Sequence, residues 1–109
     1  MRRKQKALAI LIGSAMFTSA ARFSYSYLRF TTVGSRIHRV KPGTPRQQVL
    51  DILGSPNSHE GPCGKIVPAH RGCAAEFVYS HPLAPLIPDY YVVAFSKDGR
   101  VIDAERYSK

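Results

Sequence analysis

The sequence lacks most of the features that mark a catalytic or redox protein. Only two of its 109 residues are cysteines, none is a tryptophan, and no acidic residue precedes position 51. Cys63 and Cys73 are too far apart in the chain to form the CxxC motif of thioredoxin-like redox proteins. The seven acidic residues contain no convincing pair for acid–base work, and no third group is placed to orient a cysteine–histidine pair. We therefore expect a protein that is not an enzyme and that needs no cofactor.

The chain also lacks an apolar run of the length that usually crosses a membrane. Four basic residues in MRRKQK precede the uncharged residues 7–21, and Arg22 ends that run. A positive region, an apolar region and then small residues are typical of a secretory signal, here with cleavage after residue 20 or 21. A membrane-spanning helix needs about 20 residues, so a retained anchor would have to extend past Arg22 as far as Leu28. Residues 1–21 are predicted to be a signal peptide or a signal anchor, with an amphipathic helix of a cytosolic protein as the third alternative.

Either exported form places the body of the chain outside the cytoplasm, because the positive flank of the apolar run stays inside. No cysteine follows the apolar run before Cys63, so no lipid attachment site is expected. The predicted location is the periplasm, either free or as the periplasmic domain of a single-pass inner-membrane protein.

The scarcity of acidic residues gives the chain a net charge of +9. Four of the 16 basic residues lie within residues 1–21, so 12 basic and 7 acidic residues remain beyond them. A moderately basic body suits an anionic membrane surface or an acidic patch on another protein. Arg36, Arg39 and Lys41 are the candidates for that contact, with an ordinary solvated surface as the alternative. No nucleic-acid-binding module is recognisable, so nucleic acid is not an expected partner.

The stretch VKPGTPRQQVLDILGSP predicts one short helix over residues 45–53, with both ends specified. Thr44 is the expected N-cap, and Gln47 completes a capping box with it. A proline suits the first helical position, and Gly54 can end the helix in a left-handed conformation. A helix of this length is unstable alone, so we expect it to dock on a sheet.

The remaining patterns predict a second short helix and a sheet. Val33, Ile37 and Val40 are spaced as one apolar helix stripe, and the Asp98–Gly99 pair is a hairpin signal between alternating runs. The expected fold is α+β, with two short helices packed on a three-stranded antiparallel sheet in the order α-α-β-β-β, preceded by the N-terminal apolar export or anchor helix. The predicted segments are a spacer at 22–32, a domain at 33–109 that begins with a helix at 33–40, and strands at 73–80, 89–96 and 101–108.

Parts of this body, in the same order, resemble a known family. They are IHRVKPGTPRQQVLDILGSP, then FVYS, then YYVVAFSKDGRVIDAERY. Over about residues 33–107 the chain resembles the SmpA/OmlA family, small envelope proteins of Gram-negative bacteria associated with outer-membrane β-barrel assembly. The resemblance implies a helix-helix-strand-strand-strand fold, a scaffolding role without catalysis, and envelope proteins as partners. This chain departs from the family in having no lipid-accepting cysteine and in carrying a cysteine loop and a proline-rich segment.

The two cysteines allow two interpretations. An even number of cysteines in an exported chain favours a Cys63–Cys73 disulfide, and closing that loop is worth about 2.5–3 kcal/mol in the chain-entropy model. The alternative is a zinc site of His59, Cys63, His70 and Cys73, with His81 nearby. The spacing between the two pairs is shorter than in zinc fingers, and a reduced thiol pair is not expected after export. No metal is therefore expected.

The segment HPLAPLIPDY, residues 81–90, has a proline at every third position, which suits a polyproline II conformation. Its large aliphatic residues are Leu83, Leu86 and Ile87. They are predicted either to fold back on the core or to form an apolar contact surface for a partner protein or lipid.

Taken together, these features favour a non-enzymatic interaction or scaffold module of the cell envelope. A link to outer-membrane protein assembly or envelope integrity is what the family resemblance implies. A secreted inhibitor-like or ligand-binding domain is the alternative, because β-lactamase-inhibitor-like domains have a similar layered arrangement. A cytosolic zinc or nucleic-acid-binding protein is the third hypothesis.

Overall fold

The computed structural model describes residues 20–108. The predicted signal or anchor falls outside this part of the chain, except for its last two residues. The described part confirms the α+β class. Its elements are helix α1 over residues 20–36, a 3-10 turn at Ile37–Arg39, helix α2 at Arg46–Leu53, and strands β1 to β4 at His59–Gly61, Ala75–Ser80, Asp89–Phe95 and Val101–Ser108.

The strands form one antiparallel sheet in the order β1-β2-β3-β4. Strands β2, β3 and β4 are the three that the alternating pattern predicts, and β3 and β4 are joined by the expected hairpin, in which Gly99 has a φ of 76°. The prediction of three strands is wrong, because the sheet has a fourth strand, β1. This strand pairs with β2, and its Glu60 lies opposite Phe77. Strand β1 has the sequence HEG, which is too short and too polar to show any alternation.

Helix α1 differs most from the prediction. Residues 22–32, expected to be a spacer, are helical, and the helix expected over 33–40 is only the end of α1 followed by the 3-10 turn. Serine, threonine and aromatic residues have modest helix propensity, so RFSYSYLRFTT gave no helix signal of its own. Hydroxyl groups here bond within the helix instead of competing with it: Thr32, for example, donates to the Leu28 carbonyl at 2.8 Å. Phe30 and Val33 both point into the core.

Helix α2 has the predicted extent, but its N-terminus is held differently. The capping box is wrong: the Thr44 hydroxyl accepts from the Lys41 N–H at 3.2 Å, and the Gln47 side chain donates to Asp51 at 3.2 Å. The tight turn of KPGT, closed by the Thr44 N–H and the Lys41 carbonyl at 3.0 Å, turns the Thr44 side chain away from the helix. The Arg46 N–H instead donates to the Gly99 carbonyl at 2.9 Å. The β3–β4 hairpin therefore supplies a hydrogen-bond acceptor for one of the free N–H groups in the first turn of α2.

The C-terminus of α2 is as predicted. Gly54 follows the last helical residue with a φ of 80°, and its N–H donates to the Leu50 carbonyl at 2.8 Å. The hydroxyl of Tyr79 in β2 donates to the Gly54 carbonyl at 2.7 Å. This end of α2 is therefore fixed to the sheet by a hydrogen bond as well as by apolar packing.

Both faces of the sheet are covered. Helices α1 and α2 pack on one face, where the core contains Phe77, Val93 and Phe95. On the opposite face, called the second face below, Val78, Val92 and Ala94 are also buried. The segment 62–73, which the Cys63–Cys73 disulfide closes, lies over this second face. Strand β3 is therefore a central strand that is buried on both faces.

A buried carboxylate holds the disulfide loop against the second face. Glu76 is 2% exposed, and its Oε1 accepts the Lys65 N–H at 2.8 Å and lies 3.9 Å from His59 Nε2. A buried charge needs such partners, since an unsatisfied carboxylate in the interior is strongly unfavourable.

Candidate interaction surface

Among the described residues, the large hydrophobic side chains that are exposed come from two segments. Phe23, Tyr25, Tyr27 and Leu28 project from α1, and Leu83, Leu86 and Ile87 project from the loop between β2 and β3. Leu86 is 87% exposed, and Leu83 and Ile87 are each more than 40% exposed. The three aliphatic residues therefore do not fold back on the core, and their contact with a partner stays a prediction.

The loop that carries them is a set of hydrogen-bonded turns. The Ala84 N–H donates to the His81 carbonyl at 2.9 Å, and the Ile87 N–H donates to the Leu83 carbonyl at 3.1 Å. Polyproline II has no internal hydrogen bonds, so the predicted polyproline II conformation is wrong for this segment. The turns gather the aliphatic side chains on a short protrusion instead of an extended rod.

His81 connects this protrusion to α1. Its ring lies edge-on to Tyr27 at 5.9 Å and to Phe30 at 5.3 Å between ring centroids, and Phe23 stacks on Tyr27 at 6.3 Å. The Nδ1 atom of His81 accepts the Leu83 N–H at 3.0 Å. The exposed residues on either side of His81 thus form one apolar surface, which we define as Phe23, Tyr27, Leu83, Leu86 and Ile87.

The predicted basic contact residues lie elsewhere. Arg36, Arg39 and Lys41 are exposed, as expected for a charged contact and equally for a solvated surface. They lie at and after the C-terminal end of α1, and Tyr27 and Arg36 are separated by about 14 Å of helix rise. The structure therefore does not bring the basic residues and the apolar surface into one site.

A small cavity next to α1 is lined in part by polar side chains that form hydrogen bonds within the fold. It has a volume of about 60 Å³ and is lined by Arg29, Asn57 and Tyr79, among others. Arg29 donates to the Ser55 carbonyl at 3.0 Å, and the Asn57 side chain exchanges two bonds with the backbone of Ser80. Burial raises the pKa of Tyr79, while the nearby Arg29 charge opposes that shift. Arg29, Asn57 and Tyr79 therefore serve the fold at this cavity through hydrogen bonds.

The structure resolves the two interpretations of the cysteines in favour of the disulfide. Cys63 and Cys73 are bonded, with their Cα atoms 6.3 Å apart. The zinc set of His59, Cys63, His70 and Cys73 is therefore wrong, because its two thiolates do not exist in this state. His59 instead places Nε2 2.8 Å from the Pro62 carbonyl oxygen.

His70 has acidic neighbours that lie more than 30 positions from it in the sequence. Its Nε2 lies 3.1 Å from Asp103 Oδ2, and Glu105 completes a cluster with them. Hydrogen bonding with Asp103 and the Asp103 charge raise the pKa of Glu105. The sequence predicts only part of this cluster. Alternation along a strand places residues 103 and 105 on one side of β4, but nothing in the sequence places residue 70 beside them.

Comparison of the chain with protein-family models, with curated proteins and with solved structures gives no match. Within residues 20–108, no helix is long and apolar enough to cross a membrane.

Proposed function

We propose that this chain is a non-enzymatic interaction module of the bacterial cell envelope that binds a partner protein through the apolar surface. The observation that carries the proposal is the exposure of Leu83, Leu86 and Ile87 beside the aromatic residues of α1. Exposed apolar side chains gathered on one surface are characteristic of contact sites for another protein or for a membrane. A place in outer-membrane protein assembly is what the resemblance to the SmpA/OmlA family implies for this partner.

The disulfide supports the extracytoplasmic part of the proposal. Disulfides persist in oxidising compartments such as the periplasm and are rare in the bacterial cytosol. The N-terminal sequence of the chain has the order of regions expected of an export signal, so the two features agree. Both features also disfavour a cytosolic zinc or nucleic-acid-binding protein.

The chemistry of the surface favours an apolar protein segment over a membrane. Leu86 stands at the tip of a hydrogen-bonded loop that His81 fixes to α1, so little conformational entropy is lost when a partner covers it. The basic residues suited to anionic headgroups, Arg36, Arg39 and Lys41, lie at and after the C-terminal end of α1, with Arg36 about 14 Å of helix rise from Tyr27. Contact with an anionic membrane surface remains the role proposed for those residues, apart from the apolar surface.

A secreted inhibitor-like domain is the second candidate, and the same loop favours it. A short, fixed protrusion with one highly exposed leucine has the form of a segment that enters a cleft on another protein. The two candidates differ in the partner: an envelope assembly protein for the first and a secreted hydrolase for the second.

The test is site-specific photocrosslinking of the full-length protein in its native cells. A photoreactive amino acid replaces Leu86, and a matched probe replaces Lys97, which is exposed on the hairpin at the opposite end of β3. We expect a protein adduct from position 86 and none from position 97. The purified adduct partner should then bind the wild-type chain and lose about 30-fold in affinity or more with Leu86→Asp, as for the loss of a central contact residue.

Two results would contradict the proposal. One is an adduct with lipid alone at position 86, which would make the surface a membrane contact. The other is a partner that binds wild type and Leu86→Asp equally well. Thermal unfolding of Leu86→Asp serves as the folding control, and an exposed position should leave the melting temperature nearly unchanged.

A further inference from the structure

The second face of the sheet carries a cluster of metal-ligating side chains that is independent of the apolar surface. His70 from the disulfide loop and Asp103 and Glu105 from β4 each offer one ligand atom, and these atoms lie within 4.8 Å of one another. His70 Nε2 and Asp103 Oδ2 are 3.1 Å apart. Two donors of a tetrahedral zinc ion are about 3.4 Å apart, given bond lengths of about 2.0–2.2 Å. The His70–Asp103 separation is therefore close to the spacing that a metal requires, and Glu105 lies near enough to supply a third ligand.

Within the described residues, neither carboxylate has a lysine or an arginine as a counter-ion. Among residues 20–108, lysine and arginine form ion pairs with Glu60, Asp89 and Asp98 but with neither Asp103 nor Glu105. This is notable in a chain with 16 basic and 7 acidic residues. A cation at this place would neutralise two like charges that the fold holds together.

Two parts of the fold position the ligands. Asp103 and Glu105 lie on the same side of β4, opposite Ala94 and Val92 of β3, so the strand fixes both carboxylates toward the second face. His70 lies three residues before Cys73, and the Cys73 N–H donates to the His70 carbonyl at 3.0 Å. The disulfide and this turn hold the imidazole over the strand. Val67 and Tyr107 border the small cavity beside the cluster.

We propose that His70, Asp103 and Glu105 bind one divalent transition-metal ion, for which Zn²⁺ is the best match. One imidazole nitrogen and two carboxylate oxygens are ligands that zinc accepts, and a partly exposed cluster leaves its fourth position to water. Hard cations such as Mg²⁺ and Ca²⁺ prefer sites made of oxygen atoms alone, so the imidazole disfavours them. The proposal does not depend on the function proposed for the apolar surface.

The experiment titrates Zn²⁺ into the chelator-treated, disulfide-bonded, full-length protein without reductant, with calorimetry and histidine ring NMR signals as readouts. Reductant must be absent, because free Cys63 and Cys73 would bind zinc by themselves. We expect one ion per chain, with the ring signals of His70 shifted. His70→Ala and the double variant Asp103→Asn/Glu105→Gln should each weaken binding about tenfold or more, since even outer contacts of zinc sites contribute about that much.

His38→Ala is the matched control, because His38 is an exposed histidine on the 3-10 turn and away from the cluster. It should bind zinc as the wild type does. The proposal is overturned if His70→Ala binds zinc as tightly as wild type, or if the ring signals of His59 or His81 shift in place of those of His70. Unfolding of the zinc-free variants is measured in parallel, and zinc should raise the melting temperature of the wild type and of His38→Ala only.

Discussion

Gly34 lies where the backbone of α1 passes over the ring of Tyr91. A Cβ atom at position 34 would lie 2.5 Å from the Tyr91 hydroxyl oxygen and 3.2 Å from the ring carbon that bears it. Tyr91 is itself only 6% exposed and packs against Phe30, so its ring has little room to move. The glycine that weakens the helix signal in the sequence is thus needed for the approach of the helix to the sheet.

Gly34→Ala should therefore destabilise the protein although alanine is the better helix former. We expect a net loss of about 1–3 kcal/mol, the usual range for overpacking. Adding Tyr91→Phe removes the hydroxyl that the new methyl group meets and should restore part of the loss. Urea unfolding of the two single variants and the double variant measures this coupling. Ser35→Ala, at the next and exposed position, is the control and should be close to neutral; additive effects of the two substitutions would contradict the predicted contact.

The two ends of α2 should respond differently to alanine. Gly54 has a φ of 80° and a ψ of −176°, a region that is essentially restricted to glycine, so Gly54→Ala should lower the free energy of unfolding by about 1–3 kcal/mol. Thr44 does not cap the helix, so Thr44→Ala should lose less than the roughly 1 kcal/mol of a true N-cap. Urea denaturation of each single variant tests the assignment, and a larger loss at Thr44 than at Gly54 would refute it.

At the scale of elements, Tyr79 joins strand β2 to the end of helix α2. Its hydroxyl is the donor to the Gly54 carbonyl, and burial raises its pKa above the ordinary value of 10.0. In the unfolded chain the hydroxyl loses its proton near pH 10, whereas in the folded protein it keeps it. Deprotonation therefore favours the unfolded state, and this contribution to stability is present below pH 10 and is lost as the pH rises above it.

Tyr79→Phe should separate the two roles of this hydroxyl. At neutral pH the substitution should lower stability by about 0.5–1.5 kcal/mol, because the hydrogen bond to Gly54 is lost. Above pH 10 the stability of the variant should fall less steeply than that of the wild type. Chemical denaturation between pH 7 and pH 11 measures both effects. Tyr107→Phe, on the partly exposed β4, is the matched control, and a parallel decline of wild type and Tyr79→Phe would contradict the argument.

The elements that the sequence predicts well are those whose pattern is local. Helix α2 has glycine and proline at its ends, and β2, β3 and β4 alternate or are apolar throughout, so their positions follow from neighbouring residues. Strand β1 and the course of α1 do not, because HEG has no pattern and RFSYSYLRFTT has few helix-forming residues. Both segments take their conformation from tertiary contacts. Strand β1 pairs with β2, and α1 packs against Tyr91 and His81.

The candidate sites also depend partly on local signals and partly on contacts between distant residues. The exposed leucines of the loop could be predicted, since apolar residues among prolines are a local signal. The contact of Tyr27 with His81 and the meeting of His70 with β4 could not, because each joins residues more than 30 positions apart. The choice of the disulfide over the zinc set could be predicted from the cysteine count and the export signal together.

At the scale of the whole molecule, covalent state and location are linked. We expect the protein recovered from its native cells to resist alkylation at both cysteines until it is reduced. Intact mass spectrometry would show this, and the same spectrum would show whether the first 20 or 21 residues are present. A shortened chain would indicate a free periplasmic protein, and a full-length chain would indicate a membrane anchor. Two freely alkylated thiols would contradict both the disulfide and the export.

Strand β4 also affects how copies of the molecule meet one another. It is the last strand of the sheet, and beyond Val101, which bonds to Gly43 and Thr44, no other described segment pairs with its outer side. Such an open edge strand can pair with the edge strand of another sheet. If two copies paired antiparallel through β4 about residue 104, each Asp103 would face a Glu105, and pairing about residue 105 would set Glu105 against its own copy. The carboxylates on this edge therefore oppose pairing of two copies through β4.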